Sequence, residues 1–168
     1  VQDATDHPET LPRGRLATWV VAGLLAAVGA AAFAVAATGD DRSDREEVIA
    51  FSEEFIELFT SYDHADFERT QDAVAERSTE AFASRYQALL GGAGFVDALR
   101  ENEASATSEI TIGPLVATLD EHEARTFAIV EQEVTGRQFE EPQRSRLRVE
   151  VMMVETPDGW TVVDVETT

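Results

Sequence analysis

The chain contains no cysteine and no lysine. The first absence excludes disulfides, thiolate metal sites, a catalytic thiol and a lipid-modified N-terminal cysteine. The second leaves arginine as the only strong cation: 13 arginines stand against 33 aspartates and glutamates, for a formal net charge of -20. Phosphate binding needs concentrated positive charge, so this composition argues against nucleic acid and anionic lipid headgroups as partners. Such an excess of negative charge keeps a protein soluble in concentrated salt. Histidine is scarce too, with three in 168 residues. His7 falls in a polar N-terminal stretch and His122 in the acidic run "LDEHE". A histidine-based metal or acid/base site is therefore left with little material beyond His64.

One long stretch lacks charge altogether. "LATWVVAGLLAAVGAAAFAVAA", Leu16 to Ala37, would extend roughly 33 Å as a helix, enough for a hydrocarbon core of about 30 Å. It is read as an uncleaved transmembrane helix. The competing reading is a cleaved signal peptide, with small residues at Val35-Ala36-Ala37, but the run is longer than the roughly 7 to 15 residues of a signal core. Trp19 suits an interfacial aromatic. Gly23, Ala27 and Ala31 recur at the four-residue spacing that lets another membrane helix approach. Arg13 and Arg15 precede the span closely, Arg42 and Arg45 follow it at a greater distance, and Asp40 and Asp41 stand beside its far end. That asymmetry points to a cytoplasmic N-terminus and an exported C-terminal domain. Residues 1–15 are read as a disordered cytoplasmic tail, 16–37 as the span, 38–43 as a juxtamembrane linker and 44–168 as the exported domain.

From Ser43 the pattern becomes helical. Val48, Phe51, Phe55, Phe59 and Tyr62 recur every three or four residues between glutamates. A second helix is expected over 65–76 with Phe67 and Val74 inward. A third starts at Ser78 or Thr79 and carries Phe82, Tyr86, Leu89 and Leu90, until "GGAG" at 91–94 stops it. A short fourth follows through Phe95, Val96 and Leu99. After Asn102 the period changes to two. In "SEITIGPLVATL" Ile110 and Ile112 are expected inward, then Leu115, Ala117 and Leu119, with a bulge at Gly113-Pro114 where the parity flips. Residues 124–134 form a second strand. "RLRVEVMMV" forms a third, with Leu147, Val149, Val151 and Met153 inward, and "TPDGW" turns into the last strand from Trp160 to Glu166. Helices followed by antiparallel strands give an α+β class. Three to four helices would cover a bent four-stranded antiparallel sheet. In the central hairpin, Val130 is expected opposite Val149, with Glu131 opposite Arg148 and Glu133 opposite Arg146.

The most chemically suggestive stretch is "TSYDHADFERT", which packs Asp63, His64, Asp66 and Glu68 together. A metal site needs three or four convergent ligands. Asp63 and His64 are adjacent and diverge on a regular element, and Asp66 and Glu68 lie about 200° apart around a helix. A turn explains every residue: Asp63 caps the second helix, Asp66 stands near its positive end, Tyr62 and Phe67 pack inward and His64 has no partner. Spacing leaves a Ser-His-Asp triad open, though no G-x-S-x-G elbow is present. "GGAGF" lacks the Lys and Ser/Thr of a phosphate loop, and "LDEHE" lacks calcium-loop spacing.

The segments "TSYDHADFERTQDAVAERSTEAFASRYQALL" and "ETPDGWTVVDVE", behind a single membrane helix, resemble the mammalian-cell-entry (Mce) associated membrane proteins. The resemblance covers most of residues 44–166. It implies a cone-shaped domain similar to nuclear transport factor 2, lying outside the cytoplasmic membrane, in a single-pass protein. It also implies a non-enzymatic accessory role in an Mce-type lipid or sterol import complex, with other Mce subunits as partners. The "GGAG" break departs from the family's continuous helix. No catalytic, metal or cofactor residue carries over, and no cofactor is expected. Two alternatives stand beside this reading. One is a small-molecule (lipid) binding module, its open cone lined by Phe55, Phe59, Tyr62, Phe82, Tyr86 and Trp160. The other is a cyclase- or isomerase-like enzyme with an acid/base pair in the cone.

Overall fold

The computed structural model describes residues 42–92 and 94–168. The expected tail, the membrane span at 16–37 and most of the linker lie outside the described residues. Among the described residues no helix is long and apolar enough to cross a membrane.

Four helices lead the domain: α1 Arg42–Thr60, α2 Phe67–Glu76, α3 Glu80–Gly92 and α4 Phe95–Glu101. α1 begins inside the stretch read as linker. Its periodic stripe holds as far as Phe59, with Ser52, Ile56 and Thr60 also buried, while Tyr62 falls beyond the helix in the sheet. Phe51, Phe55 and Phe59 stack along one face at 6.4 and 5.8 Å between ring centres. Burying a side chain such as Phe55 or Ile56 stabilises the fold by about 1.5–3 kcal/mol. Ser52 is accommodated by a hydrogen bond from the Thr126 hydroxyl at 2.9 Å. That pairing satisfies two hydroxyls no water can reach.

The sheet has five antiparallel strands rather than four, in sequential order: β1 Tyr62–Asp63, β2 Ser105–Leu119, β3 Glu123–Thr135, β4 Gln143–Thr156 and β5 Gly159–Thr167. The extra strand is two residues long, pairing Tyr62 with Ala106 and Asp63 with Ser105. No periodicity can announce a strand that short. The sheet curls because β2 breaks register three times, between Ile110 and Ile112, Ile112 and Leu115, and Val116 and Thr118. A further irregularity falls in β4 and β5 at Met152/Met153.

The bulge expected at Gly113-Pro114 lies within the second of these breaks, and Gly113 takes a φ of 88°. A side chain there would stand 2.8 Å from the Phe127 carbonyl, so only glycine lets β2 cross β3 this closely. The consequence corrects the expected facing. Ile112 and Leu115 turn outward and are 55% and 47% exposed, Ala117 is exposed as well, and Val116 joins Ile110 and Leu119 against the core.

The β3–β4 hairpin keeps the expected faces but is slipped by two residues. Val130 meets Leu147, Ala128 meets Val149, Glu131 meets Arg146 and Glu133 meets Arg144. Arg148 therefore faces Ile129, not Glu131. A slip of two preserves side-chain alternation, so the inward set Leu147, Val149, Val151 and Met153 still packs on the core.

The main core joins α1, α2 and α3 to the inner face of the sheet, with Trp160 and Val162 of β5 inside it. A smaller cluster of Phe67, Leu90, Phe95, Leu99 and Ala104 closes one end. Between α2 and α3 the backbone stitches onto the edge of β5: Val162 N–H donates to Arg77 O at 2.9 Å, and Thr79 N–H to Val162 O at 2.8 Å.

Candidate functional site

Two groupings carry chemistry. The first is the turn after α1. Asp63 Oδ1 accepts the Ala65 N–H at 2.8 Å and Oδ2 accepts the Ser105 hydroxyl at 3.1 Å. These two bonds, with the His64 imidazole beside them, hold the Asp63 carboxyl below the usual range. Asp63 thus closes a local turn and a strand pairing instead of capping α2. The residue before α2 is Asp66, which makes no side-chain cap bond and pairs with Arg69 at 3.0 Å. Glu68 reaches Arg100 at 2.7 Å.

His64 has neighbours where none was expected. Its Nδ1 lies 3.3 Å from Ser105 Oγ and 3.5 Å from Asp63 Oδ1. Serine, histidine and aspartate do converge here, yet a proton relay needs the two imidazole nitrogens engaged on opposite sides. Here one nitrogen approaches both partners and the serine donates directly to the aspartate. The trio is a structural knot. Among the described residues no group of three His, Asp or Glu is placed to hold a metal.

The second grouping is the interior of the cone. α1 contributes Phe59, α2 Phe67 and Thr70, α3 Phe82, Arg85, Tyr86, Leu89 and Leu90, and α4 Phe95; Tyr62, Gln132, Val165 and Thr167 come from the sheet. The rings pack on one another. Tyr62 meets Phe67 and Phe95 edge-on at 5.9 and 6.3 Å, and Tyr86 stacks on Phe82 at 6.1 Å. The space left among them is about 60 Å³.

Burial pushes the Tyr62 and Tyr86 phenols up to about 12, so both stay protonated at neutral pH. Arg85 sits at the rim over the Phe82 ring, 5.9 Å from its centre. Its Nη2 donates to Val163 O at 3.1 Å and to Asp164 Oδ1 at 3.3 Å. Gln132 Nε2 donates to Thr60 O at 2.7 Å, and Ser108 Oγ donates to the same oxygen at 2.8 Å. The buried Thr167 hydroxyl has no hydrogen-bond partner among the described residues.

Of the six residues expected to line the cone, Phe59, Tyr62, Phe82 and Tyr86 border this space. Phe55 and Trp160 lie in the main core and do not border it. Gln132, Val165, Thr167, Leu89, Leu90 and Phe95 were not foreseen as lining. One of them left a signal: Gln132 is a polar residue in the inward register between Val130 and Val134.

No family model matches the sequence, and no curated protein does either. Solved structures do. An IcmL-like type IV secretion system protein from Legionella pneumophila is 18% identical with a TM-score of 0.65, over 78% of this chain and 94% of that one. The periplasmic domain of DotI is 11% identical with a TM-score of 0.62, over 80% and 99%. An NTF2-like superfamily protein from Salmonella enterica is 11% identical with a TM-score of 0.55, over 76% and 91%. The fold is that of nuclear transport factor 2. At these identities the likeness speaks to fold alone. In an NTF2-like domain the helices close over the concave side of the curled sheet, and here aromatic side chains occupy most of the room between them.

Proposed function

We propose that the chain is a membrane-anchored, non-enzymatic accessory subunit whose NTF2-like domain lies outside the cytoplasmic membrane and helps hold a transport complex together. The filling of the cone carries this reading. Its remaining space is about 60 Å³, whereas ligand pockets run to about 300–1,000 Å³. A lipid chain or a sterol ring system needs far more room. The ionisable groups lining the cone are two tyrosines held neutral and an arginine engaged by Asp164, which is a poor basis for proton abstraction near pH 7. The likeness to the DotI periplasmic domain supports the extracytoplasmic placement.

The sequence resemblance over 44–166 supports an Mce-type lipid or sterol import complex as the assembly. A second reading, a secretion-type channel, draws on the likeness to the IcmL-like protein. Both place the protein among other subunits. The test is purification of the tagged full chain from its native membranes in mild detergent, followed by mass spectrometry. Permease and substrate-binding subunits of an importer are the expected companions. Secretion-channel subunits would move the protein to the second reading. Recovery of the chain alone, with one lipid bound per molecule, would replace both with the lipid-binding alternative.

A further inference from the structure

We propose that a recess at the β5 side of the sheet binds a small zwitterion of the amino-acid type. The recess measures about 360 Å³, within the range of about 300–1,000 Å³ that ligand pockets occupy. One row of residues crossing the strands runs through it. Thr118 of β2 stands opposite Arg125 of β3, Arg125 opposite Met152 of β4, and Met152 opposite Asp164 of β5. Side chains opposite one another in a ladder share a face, so a cation, a thioether and a carboxylate follow in line. Arg85 of α3 ends the row at the edge of the sheet, 3.3 Å from Asp164 Oδ1.

The two charges of the row do not join. Arg125 and Asp164 are two strands apart, roughly 9–10 Å between Cα positions at about 4.8 Å per strand, with Met152 between them. Each is fixed by a different partner. Arg125 Nη1 donates to Glu150 at 2.9 Å, and Asp164 Oδ1 accepts from Arg85 and from the Val165 N–H at 3.1 Å.

Both groups keep unused bonding capacity. Arg125 Nη2 has Met152 Sδ for an acceptor, at 3.6 Å, and a thioether accepts weakly. Asp164 is only 8% exposed, yet its Oδ2 accepts no hydrogen bond among the described residues and is not sealed from solvent. That oxygen therefore opens on the recess that Asp164 lines. A guest with a carboxylate for Arg125 and an ammonium for Asp164 completes both groups, each through a charge-assisted bond.

Charge selects this class over its neighbours. The net charge of -20 and the carboxylates of Asp120 and Glu123 along the recess oppose a guest that is a net anion. A simple amine would leave Arg125 with its weak acceptor. A zwitterion adds no net charge and engages both ends. Met152 and Val154 supply the apolar part of the lining, which suits an aliphatic side chain.

L-Leucine is the probe. Equilibrium dialysis against the full chain, purified in detergent, should show saturable binding of one leucine per chain. 4-Methylpentanoate lacks the ammonium and 3-methylbutylamine lacks the carboxylate; each should bind about tenfold or more weakly, having lost one charge-assisted bond. Arg125→Gln and Asp164→Asn should each weaken leucine binding by about tenfold or more, with circular dichroism unchanged. Both substitutions spare the surroundings: Arg148 still reaches Glu150 at 3.3 Å, and the asparagine oxygen can still accept from Arg85 and Val165. An absence of saturable leucine binding would overturn the proposal. So would 4-methylpentanoate or the amine binding as well as leucine, or leucine binding that either folded variant leaves unchanged. The two analogues decide the matter even where a variant fails to fold.

Discussion

Tyr62 and Tyr86 place a pH limit on the fold. Each phenol is raised from 10.0 to about 12 by burial, so folding favours the protonated form. The stability this contributes is complete below the unfolded value near 10 and is lost as pH rises towards 12. Ionising either ring inside the cone is opposed by roughly 2–3 kcal/mol. Denaturant unfolding should therefore show a steep loss of stability between pH 10 and 12. Tyr86→Phe should flatten that loss while changing stability near pH 7 by less than about 1 kcal/mol, because the Tyr86 hydroxyl has no hydrogen-bond partner among the described residues. An unchanged alkaline limb in the variant would rule out this tyrosine as its cause. His64 shows where residue-level reading stops. Its chain neighbours were visible in the sequence, but Ser105 reaches it only because β1 pairs with β2. His64→Ala should still cost little, about 0.5–1 kcal/mol, since the Asp63–Ser105 bond survives it. Thermal unfolding of the variant tests this.

The elements were legible wherever the period was long enough to count. The helical stripes of α1 and α3 and the alternation of β3 and β4 all appear where expected. Register was not legible, for a specific reason. Arg144, Arg146 and Arg148 repeat every two residues, so two registers two residues apart both set glutamates against arginines. The register found gains Glu150, which Arg125 and Arg148 both reach, at 2.9 and 3.3 Å. Alternation likewise assumes an unbroken strand, and β2 is broken three times; the outward turn of Ile112 and Leu115 followed from that. The observed register makes its own forecast. Glu131→Arg and Arg146→Glu should each lower stability by a few tenths of a kcal/mol up to about 1, as exposed cross-strand pairs do. The double exchange should recover most of it in urea titrations. Failure to recover would argue against direct pairing.

For the whole molecule, the two-layer arrangement was readable and the state of its interior was not. Helical period picks out Phe59, Phe82 and Tyr86 as inward, but whether inward residues surround a pocket or fill it depends on how closely the layers approach. Here they nearly meet, with Phe67 and Phe95 from α2 and α4 filling the end. The layers are joined at Thr60, whose carbonyl accepts from Gln132 and Ser108. Gln132→Leu removes one of these bonds from a buried site and should cost about 1–2 kcal/mol, measured as a lower midpoint in denaturant. An unchanged midpoint would mean that Ser108 alone secures the junction.

That shared oxygen has a mechanical meaning. It lies at the last residue of α1, and its two donors belong to adjacent strands that are themselves paired along most of their length. Tension travelling down α1 therefore reaches β2 and β3 together and does not pry one strand from the other. Pulled from that end, the domain would meet the load as a single stiff body, with the strain spread across the sheet before any strand could peel away.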